Sequence, residues 1–357
     1  MTGTTHAEFN DKTEALEVAQ ALAESVRGKT IVVTGVNQGG IGFTTAEAFV
    51  THLIVASRTP LKMQESINAL KSKFPDVDYR ALEIDLCSQQ SVRKAAAELL
   101  SWEDVPAVDI LVNSAAIMNI PERTINDDGI EIQFATNHIG HFLFTNLILP
   151  KLIKAANASR VKGATRVINV ASASPTMATM RWSDLNFEKL NKDLPAYEQP
   201  NYDMLRHWGF KDPEDQSYLP LEGYNQSKIA NVLFGIGLTE RLFSRYGILG
   251  LALHPGVIQT ELGRSAPPHV MAAIMNMAEE GTYTWKSQAA GASTTLVAAL
   301  DPKLGPPESR EGKKENFGAF LWDCQISDLA LPPAVSSAEA DKMWKISEGL
   351  VKETFVW

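Results

Sequence analysis

The chain has 357 residues, of which 45% are hydrophobic and 21% charged, a composition typical of a folded protein with a large core. Its net charge of -9 argues against binding nucleic acid or an anionic membrane through bulk charge. The two cysteines favour a reducing compartment, the first eleven residues contain no secretory signal, and no apolar run reaches membrane-spanning length. We therefore expect a cytoplasmic protein without a membrane span.

Short apolar runs alternate with amphipathic stretches along the chain. A helix is predicted over 13–26, ending in a basic last turn and a glycine stop at Arg27 and Gly28. The apolar runs predict strands at 30–33, 53–56, 79–84, 109–112, 166–170, 249–253 and 319–322. The amphipathic stretches predict helices at 43–50, 91–101, 131–153, 222–246 and 338–354.

This alternation predicts an α/β fold, a doubly wound parallel sheet in a three-layer α/β/α arrangement. Two segments interrupt it. Residues 175–222 have no clear periodicity, and residues 264–316 carry a methionine-rich stretch at 270–277 followed by Pro302, Pro306 and Pro307. We interpret both as excursions on a single domain over 28–357, preceded by an N-terminal helical extension over 1–27.

A glycine-rich turn follows the first predicted strand, with the sequence Thr34-Gly-Val-Asn-Gln-Gly-Gly-Ile-Gly42, and leads directly into a helix. Glycines there permit positive φ and let backbone N–H groups approach a pyrophosphate at the helix N-terminus. A purely structural turn is the alternative, because a glycine cluster alone is not specific. The position between the first strand and the first helix of an alternating chain favours a dinucleotide site.

The end of the second predicted strand indicates which dinucleotide is bound. NAD sites usually place Asp or Glu here for the ribose 2′-hydroxyl, whereas a basic residue suits a 2′-phosphate. This chain has Ser57 and Arg58, with Lys62 nearby. The pattern favours NADP(H) over NAD(H), and the alternative is that Arg58 is an ordinary surface cation.

Tyr224 and Lys228 lie four residues apart in a predicted helix, and therefore on one face. An ammonium group beside a phenol favours the phenolate and brings tyrosine into the range of proton transfer at neutral pH. The same spacing occurs in amphipathic surface helices with a solvated lysine. The glycine turn upstream favours the proton-transfer interpretation.

With these motifs in this order, the chain resembles the short-chain dehydrogenase/reductase family over about residues 28–355, and within it the branch of retinol dehydrogenase-like and WW-domain oxidoreductase-like members. The resemblance implies a Rossmann-like fold. It also implies a cofactor site formed by Gly35, Asn37, Gly39, Gly40, Ile41, Gly42, Arg58, Asp85, Leu86, Asn113, Ala115, Tyr224, Lys228, Pro255, Gly256, Val257 and Thr260.

The resemblance also implies catalytic roles for four residues. Tyr224 would be the general acid for carbonyl reduction and the base for alcohol oxidation, and Lys228 would lower its pKa and bind the nicotinamide ribose. Ser172 would polarise the substrate oxygen, and Asn137 would support a water linked to the lysine. Taken alone, Ser172 is equally a turn serine at a strand end and Asn137 a helix-surface amide.

Three departures from the family pattern lie near the cofactor site. Four residues separate Gly35 from Gly40 where the family usually has three. The chain is about three residues shorter than usual between the first helix and the second strand, which predicts a truncated helix. Ala116 replaces a common glycine after the fourth strand.

Other residue patterns are open to more than one interpretation. His138 and His141 are three apart on a helix, but no further zinc ligands follow at a known spacing, so we predict packing histidines and no metal site. The segment between Ser172 and Tyr224 is rich in aromatics, which either shape an apolar pocket or fasten a surface loop. The methionines at 271, 275 and 277 fit either an adaptable substrate lid or a buried helix face.

The function predicted from these observations is hydride transfer between NADP(H) and the carbonyl or secondary alcohol of a hydrophobic small molecule, in secondary metabolism. A non-catalytic dinucleotide-binding or sensor protein is one alternative, and a cofactor-assisted isomerase or lyase is another. The partner is therefore expected to be a small apolar carbonyl or alcohol, not a nucleic acid, and the oligomeric state stays open.

Overall fold

The structure, a computed structural model, describes residues 3–49, 51–306 and 314–357. The strands within these ranges, β1 to β10, are Thr30–Thr34, His52–Ser57, Tyr79–Glu83, Ile110–Asn113, Thr165–Val170, Ile248–His254, Val257–Ile258, Trp285–Lys286, Phe320–Trp322 and Gln325–Ile326. The helices, α1 to α13, are Ala15–Ala21, Ala23–Val26, Ile41–Ala48, Pro60–Lys73, Gln89–Ser101, Ile132–Phe134, Gly140–Leu147, Leu149–Ala158, Tyr202–His207, Pro220–Tyr246, Pro268–Glu279, Gln288–Leu300 and Ser337–Val351.

Eight of these strands form one sheet in the order β3-β2-β1-β4-β5-β6-β9-β10. Neighbouring strands are parallel except β10, which is antiparallel to β9. The direction of winding reverses between β1 and β4, where Val33 pairs with Val55 on one side and Val112 on the other. The predicted doubly wound parallel sheet is confirmed.

Helices cover both faces of the sheet, because alternate residues of each strand point to opposite faces. Val32 packs into the apolar layer that includes α5, α7, α10 and α13. Ile31 and Val33 pack into the opposite layer, which includes α1, α3, α4 and α12. Helix α1 from the N-terminal extension is part of this second layer, where Val18 is completely buried.

The predicted strands and helices are present within a few residues of their predicted ends, with two of the helices interrupted. The stretch 13–26 forms α1 and α2, separated at Leu22. The stretch 131–153 breaks into α6, a π-helical turn over Ala135–Ile139, α7 and α8, with Pro150 in the first turn of α8. Helix α3 has eight residues, as the shortened segment predicted, and the predicted end at Val50 lies outside the described residues.

The segment 264–316, interpreted as an excursion, contains in its central part a helix that was not predicted. Helix α12 lies within this segment and is buried along its length between the sheet and α1 and α3. Ser287 is the N-cap of this helix, and its hydroxyl accepts a hydrogen bond from the backbone N–H of Ala290 at 3.0 Å. Pro302 and Pro306 follow this helix, and Pro307 lies outside the described residues. Helix α4 and strand β10 were also not predicted.

The C-terminal helix α13 packs on α10 through an aromatic cluster. The ring of Trp344 lies 5.1 Å from that of Phe142 and 5.9 Å from that of Phe234, and the Arg241 guanidinium stacks over it at 4.3 Å. The outer face of α10 is therefore covered by the chain's own C-terminal segment.

None of the described helices is long and apolar enough to cross a membrane.

We expect Trp344→Ala to destabilise the protein by about 3–5 kcal/mol, because it leaves a cavity in this cluster and removes the stacking of Arg241. Urea denaturation followed by circular dichroism measures the change. Tyr197→Ala is the matched control, since Tyr197 is 73% exposed, and it should change stability by less than about 0.5 kcal/mol. Equal effects of the two substitutions would contradict the packing described here.

Candidate active site

A cleft of about 700 Å³ opens along the carboxyl ends of the central strands. It runs across the point between β1 and β4 where the winding reverses, which is where doubly wound sheets bind ligands. The predicted cofactor residues that line it are Gly35, Asn37, Gly40, Ile41, Gly42, Arg58, Asp85, Leu86, Ala115, Tyr224, Lys228, Pro255 and Thr260. The cleft therefore brings together most of the predicted site.

The glycine turn is packed too tightly for side chains at two positions. A Cβ on Gly35 would lie 2.6 Å from the Cα of Ala115, and a Cβ on Gly42 would lie 2.6 Å from the carbonyl oxygen of Gly35. The extra residue is absorbed in a turn closed by a 3.0 Å bond from the Gly40 N–H to the Asn37 carbonyl, in which Gly39 has φ +78°. The N-terminus of α3 thus still faces the cleft, where its free N–H groups can bind a phosphate.

The far end of the cleft is formed by the last residue of β2 and the residues after it. Ser57 is buried and donates a hydrogen bond to Asn37 Oδ1 at 3.3 Å, while Arg58 and Lys62 are exposed at the rim. Glu65 also lines this end, one turn further along α4. No carboxylate stands at the end of β2 itself, where NAD sites usually place one.

Helix α10 places Tyr224 and Lys228 at the other end of the cleft. Both side chains are buried, with exposed fractions of 8% and 2%. Lys228 Nζ lies 5.6 Å from the centre of the Tyr224 ring and donates a hydrogen bond to the carbonyl of Val170, the last residue of β5, at 2.8 Å. The pair therefore lies at the floor of the cleft, not on a solvated helix face.

Burial acts on the two groups in opposite directions. It raises the pKa of Tyr224 above its ordinary value, and a hydrogen bond with Ser172 opposes part of that rise. It lowers the pKa of Lys228 to about 7. Desolvation thus favours the neutral form of both groups, and the lowering of the Tyr224 pKa by Lys228 stays a prediction.

Asn137 lies in the π-helical turn over Ala135–Ile139, a deformation that is frequent at functional sites. Its amide group donates to the Ile117 carbonyl and to Ser227 Oγ, both at 2.9 Å, and its oxygen accepts the Ile117 N–H at 2.8 Å. Ser227 donates in turn to the carbonyl of Tyr224 at 2.7 Å. Asn137 thus ties the loop after β4 to the turn of α10 that carries Tyr224, and its side chain lies outside the cleft lining.

Ser172 follows β5 and contacts Tyr224 through the hydrogen bond that opposes the rise in the tyrosine's pKa. Its hydroxyl oxygen lies 2.6 Å from that of Ser174. Ser172 thus lies beside the buried tyrosine but is not among the residues that line the cleft, and its role in catalysis stays a prediction.

Four predicted cofactor residues lie behind the cleft surface. Asn113 is buried and donates to Asn169 Oδ1 at 2.9 Å, which links β4 to β5. Gly39 lies at the tip of the glycine turn. Gly256 has φ +97°, and a Cβ there would lie 2.5 Å from Lys286 Cδ, while Val257 pairs with Trp285 in a two-stranded sheet. These residues shape the backbone around the site.

Sequence reasoning missed a role for Thr34. Its hydroxyl accepts the backbone N–H groups of Ser114 and Ala115, at 2.9 and 3.0 Å, and is 2.8 Å from His141 Nε2. Thr34 thereby joins the glycine turn to the loop after β4. The signal was present in the polar residue that ends an apolar strand directly before Gly35. Arg264, Glu261 and Leu262 also line the cleft without having been singled out.

His138 and His141 are completely buried and hydrogen-bonded to Ser347 and Thr34, respectively. Burial lowers the pKa of both, to about 3 and about 4, so both are neutral packing residues. Within the described ranges, no group of three or more His, Cys, Asp or Glu side chains is arranged to hold a metal ion.

Several aromatic side chains between Ser172 and Tyr224 fasten the segment to the rest of the protein. Phe210 and Leu205 pack with Val270 of α11 in a separate small apolar cluster. Trp182 packs on the main core under the ammonium group of Lys342, and Tyr218 donates to the Ile120 carbonyl at 2.8 Å. The described cleft lining includes no aromatic residue of this segment. On α11, Met277 is buried, whereas Met271 and Met275 are exposed.

The comparisons with known proteins identify the family of this chain. The family model for short chain dehydrogenase matches residues 29–184. Oxidoreductase fscI from Fusarium equiseti is 36% identical over 252 residues, which cover 70% of this chain and 94% of that protein. Retinol dehydrogenase 14 from Mus musculus is 31% identical, covering 91% of this chain and 86% of its own. The WW domain-containing oxidoreductase of Pongo abelii is 31% identical over 98% of this chain and 74% of its own.

Among solved structures, an uncharacterized protein from Mycobacterium paratuberculosis matches with a TM-score of 0.56 and 24% identity, and the match covers all of both chains. This likeness supports the fold alone. The relatives confirm the resemblance to the branch with retinol dehydrogenases and the WW domain-containing oxidoreductase. The chain belongs to the short chain dehydrogenase family of oxidoreductases.

Proposed function

We propose that the protein transfers a hydride between NADP(H) and the carbonyl or secondary alcohol of a hydrophobic small molecule. The observation that carries this proposal is the buried Tyr224–Lys228 pair at the floor of a cleft whose other end is the glycine turn. Members of this family bind nicotinamide dinucleotides. The cleft volume of about 700 Å³ and the N-terminus of α3 suit such a ligand.

The residues present support an acid–base role in this reaction. When bound, the dinucleotide supplies or accepts the hydride at its nicotinamide ring. In reduction, the Tyr224 hydroxyl gives its proton to the substrate oxygen, where negative charge develops, and Ser172 fixes the position of that oxygen. Lys228 stabilises the phenolate that remains, and Val170 and the β5 strand hold its ammonium group in place. Oxidation runs the same steps in reverse.

The preference for NADP(H) rests on the rim of the cleft at the end of β2. Arg58 and Lys62 provide positive charge beside the buried hydroxyl of Ser57 and the amide of Asn37. A 2′-phosphate would be bound by the guanidinium fork of Arg58, whereas a free 2′-hydroxyl would find no carboxylate at the end of β2.

We expect Arg58→Ala to weaken NADPH binding by about 10- to 100-fold, the loss of a charge-assisted hydrogen bond, and to leave NADH binding nearly unchanged. Fluorescence titration of each dinucleotide measures both dissociation constants. Arg160→Ala is the matched control, because Arg160 is an exposed arginine that precedes β5, at the amino end of the strands, whereas the cleft lies at their carboxyl ends. A wild-type protein that binds NADH more tightly than NADPH would overturn the assignment.

The remaining parts of the proposal concern substrate and setting. Several relatives are named retinol dehydrogenases, and retinol is a largely apolar alcohol. The exposed Met271 of α11 offers adaptable apolar surface beside the cleft residues Leu262 and Arg264, because a Cβ on Gly263 between them would lie 3.9 Å from its Sδ. We therefore propose an apolar substrate of secondary metabolism, a cytoplasmic setting, and a catalytic domain over 28–357 to which 1–27 is an extension.

A further inference from the structure

A chain of hydrogen bonds leads from Ser172 away from the cleft. The hydroxyl oxygens of Ser172 and Ser174 lie 2.6 Å apart, and Ser174 Oγ donates to Asn225 Oδ1 at 2.7 Å. Asn225 Nδ2 donates in turn to Glu222 Oε1 at 2.9 Å. We name these four residues the serine relay. It ends on the first turn of α10, two residues before Tyr224.

The directions of these bonds follow from the carboxylate at the end. An ionised carboxylate only accepts hydrogen bonds, so the NH₂ group of Asn225 faces Glu222 and its oxygen faces Ser174. Ser174 uses its single hydroxyl proton on Asn225, and its oxygen then accepts the proton of Ser172. The Ser174 backbone N–H also donates to Ser172 Oγ, at 3.0 Å. While Glu222 is ionised, Ser174 competes with the Tyr224 oxygen for the Ser172 proton, so Ser172 is a weaker donor towards the cleft.

We propose that Glu222 is a positioning residue that determines, through Asn225 and Ser174, whether Ser172 donates or accepts a hydrogen bond in the cleft. A protonated Glu222 donates to the oxygen of a turned Asn225 amide, whose NH₂ donates to Ser174, and Ser174 donates to Ser172. Ser172 then donates to a substrate carbonyl, as reduction requires. The inference rests on the proposed function, because the two states serve opposite directions of that reaction.

The surroundings of Glu222 allow both states near neutral pH. Burial raises the pKa of Glu222 to about 7, and the hydrogen bond from Asn225 and the charge of Arg181 oppose the rise. Arg181 is ion-paired with Asp184 at 2.6 Å, which reduces its effect on Glu222. Glu131 is a second buried carboxyl on this side of α10, since its Oε1 lies 3.4 Å from where a Cβ on Gly223 would be. Its pKa is also raised by burial, to about 7.

The relay predicts different pH profiles for variants of Glu222 and of Ser174. In the wild type, kcat for carbonyl reduction with NADPH should fall by about a hundredfold as the pH rises through 7, because one donor to the developing oxyanion is lost. Lys228, whose pKa is also about 7, contributes to this step, so in Glu222→Gln the step should shrink by the part that Glu222 supplies. In Ser174→Ala the Ser172 proton is free to turn to the cleft at every pH, so only the part of the step due to Lys228 should remain.

Glu240→Gln is the control for these profiles, because Glu240 is an exposed carboxylate on the same helix, and it should keep the wild-type profile. A step near pH 7 that is as large in Glu222→Gln as in the wild type would overturn the proposal. So would a Ser174→Ala variant that folds normally but has lost reduction at low pH.

A titration that needs no turnover separates this inference from the proposed function. Infrared difference spectra should show two carboxyl groups that titrate near pH 7, Glu131 and Glu222, and Glu222→Gln should remove one of them. Ser172→Ala should lower the Glu222 midpoint, because it leaves the Ser174 hydroxyl proton unpaired in the protonated state, whereas the ionised state only loses one donor to the Ser174 oxygen. An unchanged midpoint would overturn the relay. A normal shift in a protein that never turns over a carbonyl would uphold the relay and overturn the proposed function.

Discussion

Tyr224→Phe is expected to lower kcat for carbonyl reduction by about 10³-fold while leaving NADPH binding within about twofold, because it removes only the proton donor. The ring still fills the same buried space at the floor of the cleft, so folding should be preserved. Steady-state turnover of a panel of apolar aldehydes and ketones, monitored by NADPH absorbance, gives the rate. Fluorescence titration gives the binding.

Tyr246→Phe is the control for this change, since Tyr246 is the last residue of the same helix and lies outside the cleft. It should retain wild-type turnover. If Tyr224→Phe reduced carbonyls at the wild-type rate, the assignment of the general acid would be wrong. The proposed reaction would then need another proton donor in the cleft.

Lys228→Met is expected to lower activity by at least about a hundredfold and to make the protein more stable at pH 7. The folded pKa of Lys228 is about 7, below the ordinary 10.5, so between these values the unfolded chain binds a proton that the folded chain does not. Stability therefore rises with pH across this window, and the full cost of the lysine is present below pH 7. Removing it should raise the unfolding free energy by about 2 kcal/mol at pH 7, after allowing for the bond lost to Val170.

The sign of this effect should change with pH. Near pH 10 the desolvation cost has nearly vanished, and only the lost hydrogen bond to Val170 remains, so the variant should be slightly less stable than the wild type. Urea denaturation at both pH values measures the difference. Lys154→Met, at an exposed position on α8, should change stability by less than about 0.5 kcal/mol at either pH. A stability gain independent of pH would contradict the buried charge.

Much of the fold could be predicted because the central strands are buried on both faces and read as unbroken apolar runs. Strand β6 is buried along all seven residues, and its prediction was correct to within one residue at each end. Helix α12 could not be recognised in the same way. It is also buried all round, so its small Ala, Gly, Ser and Thr residues show no amphipathic period. Helix α4 did carry an apolar period at Met63, Ile67 and Leu70, and that signal was overlooked.

The candidate site was predicted more completely than its electrostatics. Local spacing identified Tyr224 and Lys228, since a helix brings residues four apart to one face. Local spacing could not show that both groups are desolvated, which raises the pKa of the tyrosine and lowers that of the lysine. The serine relay was equally hidden, because Ser174 and Asn225 are 51 positions apart and meet only in the folded chain. The sequence also could not show whether the aromatic residues between Ser172 and Tyr224 line the cleft, because that depends on how the segment packs in the folded chain.

The most direct test of the proposed hydride transfer is to follow a deuterium atom from C4 of reduced nicotinamide into the product. With deuterated NADPH and an apolar ketone, the wild-type protein should place deuterium on the carbinol carbon in proportion to the cofactor oxidised, and Tyr224→Phe should nearly abolish this transfer. Tight dinucleotide binding without transfer would instead indicate a sensor. A product formed without net oxidation of the cofactor would indicate an isomerase or lyase, and either result would contradict the proposed reaction.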